Sequence, residues 1–145
     1  MSYHVDLIAA TKANGYFRQV LHTAPNSQLV AMCVQPGDDI GLETHHLDQV
    51  LVFVEGEGDF EVGDHKGRVA AGDVVVVPAG SQHNFVNTGA SAMKLYTVYA
   101  PPEHPDGTVH KTKAEADAAE AAEHGHGGGG YQAPSGLTVG SLLGK

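Results

Sequence analysis

Glu43, His45, Gln49 and His83 are the side chains whose types and spacing could do chemistry. In an extended chain, residues two apart share a face. Glu43 and His45 therefore point the same way, and His46 points opposite. Gln49 opens the next strand-like run and can face the same space across the Leu47-Asp48 connection. A strand over Gln82 to Val86, laid alongside, brings His83 into the cluster. Two imidazoles and one carboxylate form the facial ligand set of non-haem Fe(II) sites, and the same set suits Mn, Co, Ni or Zn. The Gln49 amide would add a fourth, weak oxygen ligand, or a hydrogen-bond donor to a bound water. On spacing alone, the alternative is a glutamate and two histidines that are unrelated surface residues.

The elements that must position these residues read as β-structure. Turn signals recur at short intervals, nineteen glycines punctuate the chain, and valine-rich segments lie between them. Val5 to Ala10 fits either a short strand or a helical turn. Tyr16 to Thr23 alternates as a strand does, and Gln28 to Gln35 is a near-continuous apolar run that suits a strand covered on both faces. Ile40 to His45 reads as a short strand, and Gln49 to Glu55 as another. Gly56-Glu57-Gly58 is expected to make a hairpin into Asp59 to Val62, with a second hairpin at 63–67. Val74 to Val77 is expected to be a fully buried strand. Gln82 to Val86 and Met93 to Tyr99 complete about eight to ten strands, the count of a sandwich or small barrel. Pro101, Pro102 and Pro105 make an extended arm. Thr112 followed by Glu115 is a capping-box signature, and the alanine- and glutamate-rich run that follows predicts a helix over 111–123. The barrel with its arm is thus expected over 1–110, and a flexible Gly/His-rich tail over 124–145.

Two segments of this chain resemble the paired motifs of the cupin superfamily. The second motif runs Gly, five residues, Pro-x-Gly, two residues, His, three residues, Asn; here it reads Gly72, Pro78, Gly80, His83 and Asn87. The first motif ends His, three or four residues, Glu, six residues, Gly; here it reads His45, Gln49 and Gly56. Glu43 stands where the family's first histidine is usual, and Gln49 where its glutamate is usual. The resemblance covers roughly residues 28 to 99. It implies an all-β fold, the cupin double-stranded β-helix or jelly-roll barrel, here with a short C-terminal helix. It also implies a metal in the barrel mouth and often a homodimer. It implies no single reaction, because this fold hosts enzymes, sugar-binding modules and storage proteins. Glu43 in place of histidine keeps a ligand. Gln49 in place of glutamate removes a carboxylate that could act as a general base.

Composition narrows the partners. Eight basic against seventeen acidic residues give a net charge of -9. That balance argues against nucleic acid and anionic membranes, which require a basic face. Cys33 is the sole cysteine, so no intrachain disulfide forms and a reducing, cytoplasmic setting is expected. No long apolar run marks a signal peptide or a membrane span. Leu51 and Phe53 share the face of Gln49, and Phe85 that of His83, so the three are expected to line an apolar substrate pocket; plain core packing is the competing reading. Tyr96, Tyr99 and Met93 fit either role. His104 and His110 lie in the arm that can fold over the barrel mouth. Arg18 is a candidate for an anionic substrate group. His124 and His126 are candidates for unspecific metal capture. The expected function is a metal-dependent enzyme of oxygenase or isomerase type acting on a small polar or oxygenated metabolite. The alternative is a non-catalytic, metal-containing module that binds a small molecule or sugar. A homodimer is expected from the apolar runs Val50 to Val54 and Val74 to Val77.

Overall fold

The computed structural model describes residues 2–125. The tail beyond, with His126 and the expected flexible end, lies outside the described residues, as does the side chain of His124. The ambiguous N-terminus is helical: α1 spans Leu7–Ala13, with the Asp6 carboxylate accepting from the Ala9 amide at 3.1 Å. Then follow β1 (Arg18–Thr23), β2 (Gln28–Val34), β3 (Asp48–Glu55), β4 (Glu57–Val62), β5 (His65–Ala70), β6 (Val74–Val77), β7 (His83–Val86), β8 (Met93–Ala100), β9 (Val109–His110) and α2 (Lys113–Gly125). No described helix is long and apolar enough to cross a membrane.

The strands form two antiparallel sheets. One has the order β6-β3-β8-β2-β1-β9, and the other β5-β4-β7. Their inner faces carry the core, and each inner row changes character along its length. On β8 the inward residues run Met93, Leu95, Thr97, Tyr99; on β3, read from its far end, Phe53, Leu51, Gln49; on β7, Phe85 then His83. All of these are buried. One end of the barrel is therefore closed by apolar packing, and polar side chains gather at the other.

Three expectations are corrected. The segment from Ile40 to His45 is not a continuous strand. It is extended chain that touches β7 through isolated bridges, Asp39 to Val86 and Glu43 to His83. Gly41, at a φ of 118°, bends it between those contacts. Gly56 does not close a hairpin between β3 and β4. These strands lie in different sheets, and Gly56, with a φ of 85°, turns the chain from one sheet to the other. β6 is not buried on both faces. It is an edge strand in which Val75 and Val77 face the core, while Val74 and Val76 are each 57% exposed.

The C-terminal helix follows its predicted signals. The Thr112 hydroxyl accepts from the Glu115 amide at 3.0 Å, and the Glu115 carboxylate reaches back to the Lys111 amide at 3.2 Å. Ala116 is buried, so the helix packs one face on the barrel. Its Ala116, Asp117, Ala119 and Glu120 form one wall of a cavity at the polar end.

Candidate metal centre

Glu43 and His83 are directly opposed. Each backbone amide donates to the other's carbonyl, at 3.0 and 2.9 Å. Opposed residues of an antiparallel pair project to the same side, so this bridge sets the carboxylate beside the imidazole. His45 follows two residues after Glu43 and shares its face. The His45 carbonyl accepts from the Gly80 amide at 2.8 Å, which ties the two motif segments a second time. One ligand atom from each of Glu43, His45 and His83 lies within 4.8 Å of the others. The two rings are tilted at a centroid distance of 5.2 Å.

Buried atoms without partners test whether these residues suit a metal. His83 Nδ1 lies 2.9 Å from the Ser81 carbonyl. A carbonyl only accepts, so Nδ1 carries the proton and Nε2 keeps its lone pair. That Nε2 is buried and unpartnered. Gln49 is 2% exposed; its amide nitrogen donates to Thr97 Oγ1 at 3.1 Å, which leaves Oε1 buried and unpartnered. His45 Nε2 also lacks a hydrogen bond, although Glu43 Oε1 stands 3.3 Å away. Buried polar atoms are nearly always satisfied. A free imidazole nitrogen on His83 and a free amide oxygen on Gln49, beside a carboxylate and a second imidazole that a metal could deprotonate, are donors of the kind that suit a divalent transition metal.

The second partners of these side chains were not legible in the sequence. His45 Nδ1 meets the Glu103 carboxylate at 3.4 Å. A carboxylate behind a ligating histidine fixes its ring orientation. Glu103 comes from the proline-rich arm, which a buried glutamine clamps in place. Gln28 Oε1 accepts from the amides of Glu103 and His104 at 3.2 and 3.0 Å, and its amide nitrogen donates to the His104 carbonyl at 2.7 Å. The only sequence signal for Gln28 is a polar residue opening a strand that is otherwise apolar.

The local charges interlock. Burial alone would raise the Glu43 carboxyl, but the adjacent His45 ring and the Arg18 and His83 charges hold it below the ordinary carboxylate range. Burial would likewise lower His45, yet the Glu103 and Glu43 carboxylates on either side lift it to about 10. Burial lowers His83 and takes His104 well below the ordinary histidine value. It raises Tyr99, whose ring meets His45 and His104 edge-on at 5.8 and 5.3 Å.

Glu43 also faces the cavity under α2, together with Arg18, Glu103, His104, His110 and Glu120. Its volume is about 70 Å³, room on the order of five waters. Leu51, Phe53 and Phe85 do not line it. They are 0–1% exposed within the core, where Phe85 lies 6.2 Å from the His83 ring and 5.7 Å from Phe53. Met93 is equally buried, and Cys33 is a buried free thiol.

Residues 30–99 match the family model described as Cupin domain. The chain is 46% identical over 123 residues to the uncharacterized protein YrkC of Bacillus subtilis, covering 80% of this chain and 66% of that protein. It is 36% identical over 112 residues to the uncharacterized protein L612 of Acanthamoeba polyphaga mimivirus, covering 74% of this chain and 70% of that protein. The crystal structure of BH2720 from Bacillus halodurans superposes with a TM-score of 0.80 at 43% identity, covering 81% of this chain and 95% of that one. With this likeness, the paired motifs and the two-sheet barrel with its polar mouth, the chain belongs to the cupin family.

Proposed function

We propose that Glu43, His45 and His83 hold a divalent transition metal, with Gln49 Oε1 as a fourth ligand, and that the protein is an enzyme acting on a small polar or oxygenated metabolite. The observation that carries this reading is the pair of buried acceptor atoms, His83 Nε2 and Gln49 Oε1, left without partners among the described residues beside the Glu43 and His45 pair. A bound metal supplies Lewis acidity toward a substrate oxygen, or a site for O2. The chain's own residues do the rest. Ser81 and Glu103 orient the two imidazoles, Thr97 turns the Gln49 oxygen, and α2 with the arm shields the mouth. Isomerase- and oxygenase-type reactions are the classes this arrangement suits.

A second reading has one observation in its favour. Position 49 carries an amide already committed to Thr97, so it cannot take a proton as a carboxylate would. That favours a metal-containing binding module. Against it, Glu103 and Glu120 place carboxylates on the same cavity.

Elemental analysis of the purified protein is the test. Near-stoichiometric Fe, Mn, Co, Ni or Zn is expected in the native chain and is expected to be lost in His83→Ala. A native chain that takes up none of these ions on incubation would sink the metal reading. Substrate-dependent turnover of the loaded protein, or its absence beside measurable ligand binding, separates enzyme from module.

We also propose that the outer face of β6 joins two copies of the chain. Val74 and Val76 are exposed side by side on an edge strand, an arrangement that invites pairing. Light scattering at micromolar concentration is expected to give a dimer mass, and Val76→Lys a monomer. A native monomer would remove this proposal.

A further inference from the structure

The strongest unexplained group outside the metal cluster is Arg18. It opens β1, faces inward and is only 5% exposed. Buried guanidinium groups are normally paired with carboxylates, because an uncompensated buried charge is costly. Here no carboxylate is close enough to pair with it among the described residues. Its contacts are neutral. Nη1 donates to His110 Nδ1 at 2.9 Å, and the group lies over the Phe17 ring at 5.2 Å from its centroid. Nε is buried and has no partner among the described residues.

That pattern has a direction. His110 occupies the end of the guanidinium at Nη1. On the side edge formed by Nε and Nη2, Nε is buried without a partner among the described residues, and the one other polar side chain that reaches the guanidinium is the neutral Tyr99 hydroxyl. A pair of parallel N–H groups on one edge matches the two oxygens of a carboxylate. Arg18 and Glu43 line the same cavity, so a ligand held at Arg18 lies beside the proposed metal centre. The volume of about 70 Å³ limits that ligand to a few non-hydrogen atoms. The other charged groups on the cavity argue for low charge. Glu43, Glu103, Asp117 and Glu120 share its walls and repel a multiply charged anion. They leave Arg18 as the one place where a single negative charge is favoured.

We infer that Arg18 receives the carboxylate of a small organic acid, whose oxygenated far end reaches toward Glu43, the member of the proposed metal cluster that lines the same cavity. The inference rests on the proposed metal-centre reading and deepens it by naming a substrate class. Arg18 acts as a substrate-binding residue, and His110 and Phe17 hold its guanidinium in the orientation that leaves the Nε edge open.

Calorimetric titration tests it, with lactate, its uncharged isostere lactamide, and inorganic phosphate as probes. The protein is used metal-free and metal-loaded, and metal content is measured on the same samples. The native chain is expected to prefer lactate over lactamide by roughly 10–100-fold, the range of a charge-assisted hydrogen-bonded pair. Phosphate is expected to bind more weakly than lactate. In an NMR titration, the Arg18 Nε–H resonance is expected to move with lactate and not with lactamide. Arg18→Met keeps the aliphatic stem and should lose the preference. Arg18→Lys keeps charge without the planar edge and should retain only part of it.

No lactate preference in the native chain overturns the inference without recourse to any variant. An unchanged preference in a folded Arg18→Met protein, or tighter binding of phosphate than of lactate, overturns it as well. The metal reading fails separately: a chain that takes up no metal yet keeps an Arg18-dependent lactate preference retains the anion site and loses the centre.

Discussion

Glu43→Gln is expected to weaken divalent-metal binding by more than the roughly 10–100-fold that follows loss of a partner behind a ligand. The substitution keeps the side chain's shape and one oxygen. It removes the only anionic ligand in the cluster. Two neutral imidazoles and two amides would then face a dication in a buried site, with Arg18 adding its own positive charge nearby. Gln49→Glu is the converse. It places a carboxylate where Oε1 now lies unpartnered. Without metal that charge is buried beside Glu43, and a loss of about 1–3 kcal/mol in folding stability is expected. With metal it becomes a second anionic ligand and binding should tighten. Competition with a chromophoric chelator measures the affinities, and melts with and without metal measure the linkage. The double variant Glu43→Gln/Gln49→Glu should recover much of the affinity lost in Glu43→Gln. Failure of that recovery would place Gln49 outside the coordination sphere. Glu43→Gln with native affinity would remove Glu43 from it.

The two motif segments were legible because local chain geometry is written into them. Gly72 and Gly80 take φ values of 97° and 88°, which side chains disfavour. Asn87 explains its own place in the motif. It is buried, its amide nitrogen donates to the Val34 and Ser91 carbonyls at 2.8 and 2.9 Å, and its oxygen accepts from Gly89 at 2.9 Å. It braces the end of β7 rather than doing chemistry. Spacing put Glu43 and His45 on one face, but bringing His83 to them needed a strand pairing that spacing left open and that the motif resemblance supplied. What was not legible depends on long-range closure. Glu103 meets His45 only because Gln28 clamps an arm that lies some 75 residues further along the chain. Arg18 joins the cavity because β1 lies near one edge of the larger sheet with β9 beyond it. The four valines misled for a related reason: composition marks a strand, but only sheet order reveals that β6 has no neighbour on one side among the described residues.

Phe85→Ala is expected to have the largest effect on folding, about 3–5 kcal/mol. Phe85 is 0% exposed and its ring meets Phe53 at 5.7 Å and Phe60 at 6.5 Å, so it joins the inner faces of the two sheets. Its backbone carbonyl also accepts from the Ile40 amide at 2.9 Å, which anchors the segment leading to Glu43. Truncation leaves a cavity in rigid sheets that cannot collapse around it. A fall in melting temperature on the order of 10–15 °C is expected for a domain of this size. Phe85→Leu, which refills most of the volume, should cost less than half as much. The site should respond along with the core, because the His83 ring stands 6.2 Å from Phe85 on the same strand face. Below its melting temperature, Phe85→Ala is therefore expected to bind metal more weakly while keeping its stoichiometry. Phe53→Ala supplies the comparison. It should destabilise the fold to a similar degree, since Phe53 is 1% exposed in the same core, yet it adjoins neither His83 on its strand nor the chain carrying Glu43. Equal losses of metal affinity in the two variants would mean that the centre responds to global stability alone. A larger loss in Phe85→Ala would identify the ring as the apolar support on which His83 is aimed.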